Sequence, residues 1–313
     1  GNSIFGNGFN GNIKSNGFVS YFLPEITKIL EQNKLSDELN ILDSIFKDYQ
    51  SSTDLINFFF SLKENKKVLD NHIDIDFSKM LAKNEDFKII FLLFYSSIVY
   101  HIAELMKLKG YQLPRNIVFS GTGSKTLQLI DSSKKLDALT PLFEGIFNSV
   151  YESDDSDINV KALNNPKQIT CKGGIEMDGD NSVQGLKHTD LIEVNLANSN
   201  SPLIQSKRTE KPITYEDLTE DYLNGVISNV DSFYQILMDL NNKIGFKEEF
   251  GVSNKSLEVL GVLKNKDQID HLMEGVKQLK VNSSQSEKVA QTLFFYPIIG
   301  LIYDLAVELG DNS

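Results

Sequence analysis

The chain has 313 residues, of which 41% are hydrophobic, so it is long enough for two domains or one large one and too apolar to be disordered. Its 31 Lys and Arg against 43 Asp and Glu give a formal charge of −12. We find no local basic patch, so this charge excludes nucleic acid and an anionic membrane surface as expected partners. The single cysteine, Cys171, excludes an internal disulfide and indicates a reducing, cytoplasmic compartment.

Residues 1–18 are rich in glycine and asparagine, as in the run from Gly6 to Asn12. This composition predicts a turn-rich opening loop, and a mobile loop at a binding site is the alternative. The sequence opens on Gly1-Asn2-Ser3, with no initiator methionine and no signal peptide. We therefore expect a fragment of a longer protein.

Residues 19–110 form a predicted helical subdomain, because their apolar residues recur at helical spacing. The last helix of this region ends at Lys107-Leu108-Lys109-Gly110, a basic last turn followed by glycine. Its most apolar part, 89–100, and a second apolar run, 293–307, are both shorter than the roughly 20 residues that cross a bilayer. We therefore expect buried helices and no membrane span.

Residues 111–211 are predicted to form an α/β core around one stretch. The apolar run from Asn116 to Ser120 predicts a buried strand, Gly121 and Gly123 then break it, and a helix follows from about Thr126. Glycines let a backbone approach a ligand closely, and a helix start offers free N–H groups, so this order suits a nucleotide site. The same turn also occurs in α/β proteins for packing alone, which is the alternative.

A P-loop is excluded at this turn. Ser124 separates the last glycine from Lys125, and the first glycine lies too near the second to cradle a triphosphate. Downstream, a longer helix is predicted over 137–150, with Pro141 in its first turn. A short strand at 158–160 and a helix over 165–175 follow, and that helix ends on Gly173-Gly174.

The order is a strand, a Ser-Gly-Thr-Gly-Ser turn, two helices, a short strand and Pro166-Lys-Gln-Ile-Thr-Cys-Lys-Gly-Gly174. It resembles the second, C-terminal lobe of the actin, heat-shock-chaperone and sugar-kinase superfamily of ATPases, of the bacterial actin-like or chaperone-like type. The resemblance implies a ribonuclease-H-like core with large helical insertions, and it makes Gly173 and Gly174 structural. It also implies an ATP or ADP site with Mg²⁺ whose adenosine and α-phosphate side is lined by Ser120, Gly121, Thr122, Gly123 and Ser124. Lys125 faces either the nucleotide or the solvent.

The chain departs from this family because it lacks both acidic phosphate loops, of the D-x-G-T and D-I-G-G-G-T types. Those loops hold Mg²⁺ and align water, and phosphoryl transfer depends on such positioning and charge. We therefore expect no ATPase activity from this chain alone, and an active ATPase only with an upstream lobe of the same protein. The alternative is a non-catalytic interaction or assembly module that keeps the fold without nucleotide and binds a protein partner or a second copy. A third reading places an enzyme site somewhere in 180–313.

Residues 212–313 are predicted to be a helical C-terminal region. Thr214-Tyr-Glu-Asp217 is a variant of the capping box, a turn is expected near Gly245, and helices are expected over 265–279 and 287–309. A strand is expected over 190–196.

Other motifs predict little chemistry. No metal site is predicted, because the histidines (His72, His101, His188 and His271) show no ligand spacing. His101 is expected to be a core or boundary residue, and Cys171 a buried thiol. The acidic turn 152–157 is expected to be solvated, with a metal site as its alternative. Residues 178–189 lack the glycine and the final glutamate of a calcium loop and are expected to form a polar turn.

Overall fold

The computed structural model describes residues 17–47, 52–120, 122–131, 136–153, 156–162, 220–266, 268–282 and 293–311. This part of the chain is mostly helical and contains one two-stranded parallel sheet. The expected combination of an α/β unit with large helical regions is therefore confirmed in this coarse form. Several expectations lie outside the described residues: the opening loop 1–16, Gly121, the helix 165–175 with Cys171 and the glycine pair, the segments 178–189 and 190–196, and the cap at Thr214.

The helices are α1 Gly17–Gln32, α2 Ser36–Lys47, α3 Ser52–Ser61, α4 Lys66–Asp70, α5 Phe77–Lys83, α6 Lys88–Leu108, α7 Leu139–Tyr151, α8 Glu220–Ile244, α9 Phe246–Phe250, α10 Asn254–Leu263, α11 Gln268–Asn282 and α12 Phe295–Asp311. The strands are β1 Asn116–Phe119 and β2 Asn159–Ala162, and 3₁₀-helices span Leu62–Glu64 and Thr122–Leu129.

The chain divides into two compact units, and each is discontinuous in sequence. The first unit comprises Gly1–Phe91, Gly251–Ser284 and Ile299–Ser313, and the second comprises Leu92–Phe250 and Gln285–Ile298. The segments predicted from the sequence are continuous. The predicted segments 19–110 and 212–313 each contribute residues to both units.

Aromatic packing forms much of the core of the first unit. Phe77, the first residue of α5, packs edge-on against Phe22 of α1, with ring centroids 5.2 Å apart. Its ring also lies 5.2 Å from that of Phe59 of α3, and all three rings are fully buried. Aromatic pairs at such separations add about 1 kcal/mol beyond the area they bury. Phe77 therefore joins three helices that are separated along the chain.

Side-chain caps fix several helix starts in this unit. Asp76 Oδ1 accepts from the backbone N–H of Ser78 at 3.0 Å and begins α5. Asn65 Oδ1 accepts from the N–H of Lys67 at 2.9 Å and begins α4. Ser253 Oγ accepts from the N–H of Ser256 at 3.1 Å and begins α10. Each cap satisfies an N–H group that has no partner within its own helix, which is worth about 1 kcal/mol.

Helix α6 is longer than the apolar run that predicted it. It has 21 residues and passes the length and hydropathy criteria for a membrane span, with a mean hydropathy of 1.8 over its most apolar window. However, 67% of that window is buried within the protein, as expected of a core helix. It is the one such helix in the part of the chain that the structure describes, and it is weak support for a membrane span.

In the second unit, helices α7 and α8 pack closely at Gly145. A Cβ atom at Gly145 would lie 2.4 Å from a methyl carbon of Leu240, so the absence of a side chain lets α8 approach α7. An aromatic cluster holds other elements together. The ring of Tyr100 in α6 lies 5.4 Å from Phe233 of α8 and 5.5 Å from Phe294.

The second unit also contains the parallel sheet. Asn116 pairs with Asn159, and Phe119 pairs with Ala162 at the other end. The chain passes from β1 to β2 through the 3₁₀-helix Thr122–Leu129 and then α7. The helix expected over 137–150 and the strand expected at 158–160 are thus confirmed as α7 and β2. Pro141 lies in the first turn of α7. N–H groups in a first turn have no partner within the helix, so the lack of an N–H at Pro141 removes no helical hydrogen bond.

Two local expectations differ from the structure. The helix expected from Thr126 is a 3₁₀-helix that starts at Thr122. Its three-residue turn places Leu127 and the following Ile130 on one buried face, and the N–H of Ile130 donates to the Leu127 carbonyl at 3.0 Å. The expected burial of β1 is also wrong within the described residues. Val118 is 50% exposed there, because the described elements cover the opposite face.

Candidate functional site

The glycine-containing segment Ser120–Ser124 directly follows the carboxyl end of β1 in the sequence. Because β1 and β2 are parallel, their carboxyl ends, Phe119 and Ala162, meet at the same edge of the sheet. The 3₁₀-helix then begins at Thr122, so its first N–H groups lie close to this edge. In open α/β sheets, ligands bind outside the carboxyl ends of the strands. The edge is therefore the position at which a ligand of this fold element is expected.

The side chains expected to line the site differ in accessibility. Ser120 and Lys125 are exposed, and Ser124 is half-buried. Thr122 and Gly123 form the first turn of the 3₁₀-helix. Their burial is not described, and Gly121 lies outside the described residues. The ion pairs among the described residues do not include Lys125. Ser120 and Lys125 are thus available to a ligand that approaches from the solvent.

Tyr95 of α6 supports this turn from the buried side. Its hydroxyl is hydrogen-bonded to Oγ1 of Thr126, in the 3₁₀-helix. Its ring packs edge-on against Phe119, the last residue of β1, with centroids 6.3 Å apart. Burial raises the pKa of Tyr95, and the hydrogen bond with Thr126 only partly opposes this effect. The tyrosine hydroxyl therefore stays protonated. The ring contacts Phe119 before the turn, and the hydroxyl contacts Thr126 after it.

The chain after the 3₁₀-helix is held by Asp131. This residue is buried, and its Oδ2 accepts from the backbone N–H of Ala138 at 3.1 Å, just before α7. Leu136 lies between these residues with a positive φ of 59°, a left-handed conformation that is strained for a leucine. Its side chain is fully buried, so apolar packing offsets the backbone strain. The two helices of the crossover thus meet at a fixed corner.

The end of α7 is tied to α6 on the side away from the turn. Lys107 Nζ donates to the Val150 carbonyl at 2.6 Å and to Glu152 Oε1 at 2.9 Å. The hydroxyl of Tyr151 donates to the Tyr111 carbonyl at 3.0 Å. A cation at a helix C-terminus also interacts favourably with the partial negative charge there. These contacts hold α7 beside the chain that leads into β1.

Among the described residues, no group of three or more His, Cys, Asp and Glu could hold a metal ion. The middle of the acidic turn 152–157, where a metal site was the alternative to a solvated turn, lies outside this part of the chain.

One His–Asp pair needs to be distinguished from a catalytic dyad. His271 is fully buried, its Nδ1 lies 3.0 Å from Asp304 Oδ2, and its Nε2 lies 2.9 Å from the Leu263 carbonyl oxygen. A carbonyl oxygen only accepts, so Nε2 carries a proton and has no lone pair for a substrate. The pair therefore joins α10, α11 and α12 and does not act as a general base.

The pKa of His271 reflects this pairing. Burial acts to lower the pKa, but the hydrogen bonds with Asp304 and with the Leu263 carbonyl together raise it above the usual value. His101 shows the opposite case. Its ring stacks on Phe294 with centroids 5.5 Å apart, and burial lowers its pKa to about 4. His101 is thus a neutral core residue near pH 7.

Sequence reasoning missed Tyr95 and the His271–Asp304 pair. The available signal was chemical: a tyrosine inside an apolar helix needs a partner for its hydroxyl, and Asp304 interrupts an apolar run. Comparisons with protein-family models, with curated proteins and with solved structures found no match to this chain. The assignment of a function therefore depends on the residues of this chain.

Proposed function

We propose that this chain is a nucleotide-binding lobe of the actin-like or heat-shock-chaperone-like kind, with a ribonuclease-H-like core. The observation that supports this most directly is the parallel pairing of β1 and β2 across a helical crossover, with the glycine turn at the carboxyl end of β1. The adenosine motif of the family that the sequence resembles has this order of strand, glycine turn and helix. Parallel strands with this turn are also a general location for nucleotides.

In this proposal, the nucleotide lies over the turn from Ser120 to Ser124. The backbone N–H groups at the start of the 3₁₀-helix contact the α-phosphate, and the glycines allow that approach. Lys125, which is exposed, supplies positive charge to the phosphates. The chain carries no acidic phosphate loop, so it binds nucleotide without hydrolysing it unless another lobe completes the cleft.

The contacts proposed for this lobe predict which part of the nucleotide determines its affinity. The lobe contacts adenosine and the α-phosphate, so ATP and ADP should bind with dissociation constants within about tenfold of each other. A free triphosphate without the nucleoside should bind far more weakly. We would measure both by calorimetry on the chain in the presence of Mg²⁺, together with phosphate release.

The turn itself is tested by Gly123→Leu. A leucine side chain would occupy the space through which the phosphate approaches, so ATP affinity should fall at least about tenfold, or about 1.4 kcal/mol. The matched control is Gly225→Ala in α8, because a Cβ atom at that position meets nothing within 4 Å. It should leave ATP affinity unchanged.

The outcomes separate the two functions that the sequence left open. If Gly123→Leu is folded and binds ATP as the wild type does, the assignment of the turn is wrong. If the wild-type chain binds neither ATP nor ADP, the nucleotide proposal fails for this chain, and an assembly module becomes the better description. Robust phosphate release by the chain alone would show that the chain carries catalytic groups that we have not assigned.

A further inference from the structure

We infer that Tyr95 is a positioning residue for the nucleotide turn, an inference that rests on the proposed function. Tyr95 lies on α6, more than twenty residues before the turn, and its own side chain is 7% exposed. It therefore reaches the turn from the buried side, which leaves the exposed side, with Ser120 and Lys125, to the ligand. Nothing in the glycine motif itself indicates a role for it.

The first step is the contact on the strand side. The ring of Tyr95 packs edge-on against Phe119, and Phe119 in turn packs on Phe143 of α7, with centroids 5.7 Å apart. Phe119 is the last residue of β1, so these rings fix the point where the strand ends and the turn begins. Edge-on aromatic pairs have a preferred geometry, which limits rotation at this point.

The second step is the contact on the helix side. The Tyr95 hydroxyl is hydrogen-bonded to Thr126, which lies in the 3₁₀-helix just after Ser124 and Lys125. A 3₁₀-helix has weaker hydrogen-bond geometry than an α-helix, so an additional side-chain anchor has a larger effect on its order. One rigid side chain thus restrains both ends of the turn.

The consequence is preorganisation. A site whose binding-competent conformation is only partly populated binds its ligand more weakly by that fraction. The hydroxyl of Tyr95 holds Thr126 in place, and with it the 3₁₀-helix, before the nucleotide arrives. Its removal should therefore weaken binding without removing any group that touches the ligand.

The test is Tyr95→Phe, which deletes the hydroxyl and keeps the ring on Phe119. We expect the Kd for ATP to rise about threefold to tenfold, the range set by the loss of one hydrogen bond. The matched control is Tyr151→Phe, which deletes a hydroxyl that donates to the Tyr111 carbonyl away from the turn. This control should leave the Kd unchanged.

A double-mutant cycle separates positioning from general destabilisation. If the hydroxyl acts through Thr126, then Thr126→Val should raise the Kd by a similar factor, and the double variant should be no worse than either single variant. If the Kd of the double variant rises by the product of the two single factors, the inference is overturned. A Tyr95→Phe variant with wild-type affinity would also overturn it.

Hydrogen exchange keeps the inference testable even if the chain binds no nucleotide. In that case the proposed function has failed, and the amides of Thr122–Leu129 become the readout. Faster exchange of these amides in Tyr95→Phe than in Tyr151→Phe would still support a positioning role for the hydroxyl. Equal exchange in the two variants would overturn it.

Discussion

Substitution of Gly300 by alanine should destabilise the corner formed by α11 and α12. A Cβ atom at Gly300 would lie 1.9 Å from the carbonyl oxygen of His271, 2.7 Å from its carbonyl carbon and 3.0 Å from its Cα. These atoms belong to the backbone of α11, so they cannot move aside by a change of rotamer. The two helices would have to separate by about 1.5 Å to restore an ordinary contact.

The cost can be estimated from what that separation breaks. Overpacking of a close helix contact costs about 1–3 kcal/mol. The same movement would stretch the 3.0 Å hydrogen bond between His271 and Asp304, and a buried group that loses its partner costs about 1–3 kcal/mol. The better helix propensity of alanine returns about 1 kcal/mol. We therefore expect Gly300→Ala to lower the free energy of unfolding by about 3 kcal/mol.

Urea unfolding read by hydrogen exchange on peptides from α10, α11 and α12 measures this effect locally. A local readout is needed because a chain with two units need not unfold in one step. The control is Gly261→Ala in α10, where a Cβ atom meets nothing within 4 Å. It should stabilise these helices by about 0.5–1 kcal/mol. A Gly300→Ala variant as stable as the control would refute the reasoning.

Two further predictions concern charged groups. The pKa of His271 is raised in the folded protein, so its stabilisation is present below the unfolded pKa near 6.5 and is lost as the pH rises through the folded pKa. In urea titrations between about pH 6 and pH 9, stability of α10–α12 should fall in the wild type, and that decline should be absent in His271→Asn. Lys107→Met removes the donor to the Val150 carbonyl and should cost about 1 kcal/mol, read as faster exchange at the end of α7. Lys109→Met is its control, and equal exchange in both variants would contradict this role.

Local features of the fold were predictable because they depend on residues near in sequence. Pro141 in the first turn of α7 and the turn at Gly245 both follow from backbone preferences. Gly245 has a positive φ of 78°, as expected where a chain leaves a helix. The 3₁₀ geometry of Thr122–Leu129 was not predictable, because apolar spacing fits both helix types over so short a segment.

Tertiary partners were not predictable from the sequence. Tyr95 and Thr126 are 31 residues apart, and His271 and Asp304 are 33 apart, beyond the reach of any periodicity. The six residues of the candidate site are contiguous, so one motif could identify them together. Tyr95, which contacts that motif from the buried side, belongs to a different helix, and folding alone places it beside the motif.

The discontinuity of the first unit has a consequence for how the chain folds during synthesis. Its residues up to Phe91 emerge from the ribosome early, but their partners in the same unit begin at Gly251. The Glu85 carbonyl accepts from the Ser253 N–H at 3.2 Å, and Asp86 pairs with Lys255. The packing of those early helices against their partners is therefore delayed while roughly 160 residues are synthesised. This takes about 10–30 s at ordinary translation rates.

The hydrogen bond between His271 and Asp304 forms later still, because Asp304 lies in the last segment of the unit. The second unit has most of its residues in one run, Leu92–Phe250, and can assemble most of its core before then. The apolar faces of α1, α3 and α5 are thus the part of the nascent chain that a ribosome-associated chaperone would have to protect longest.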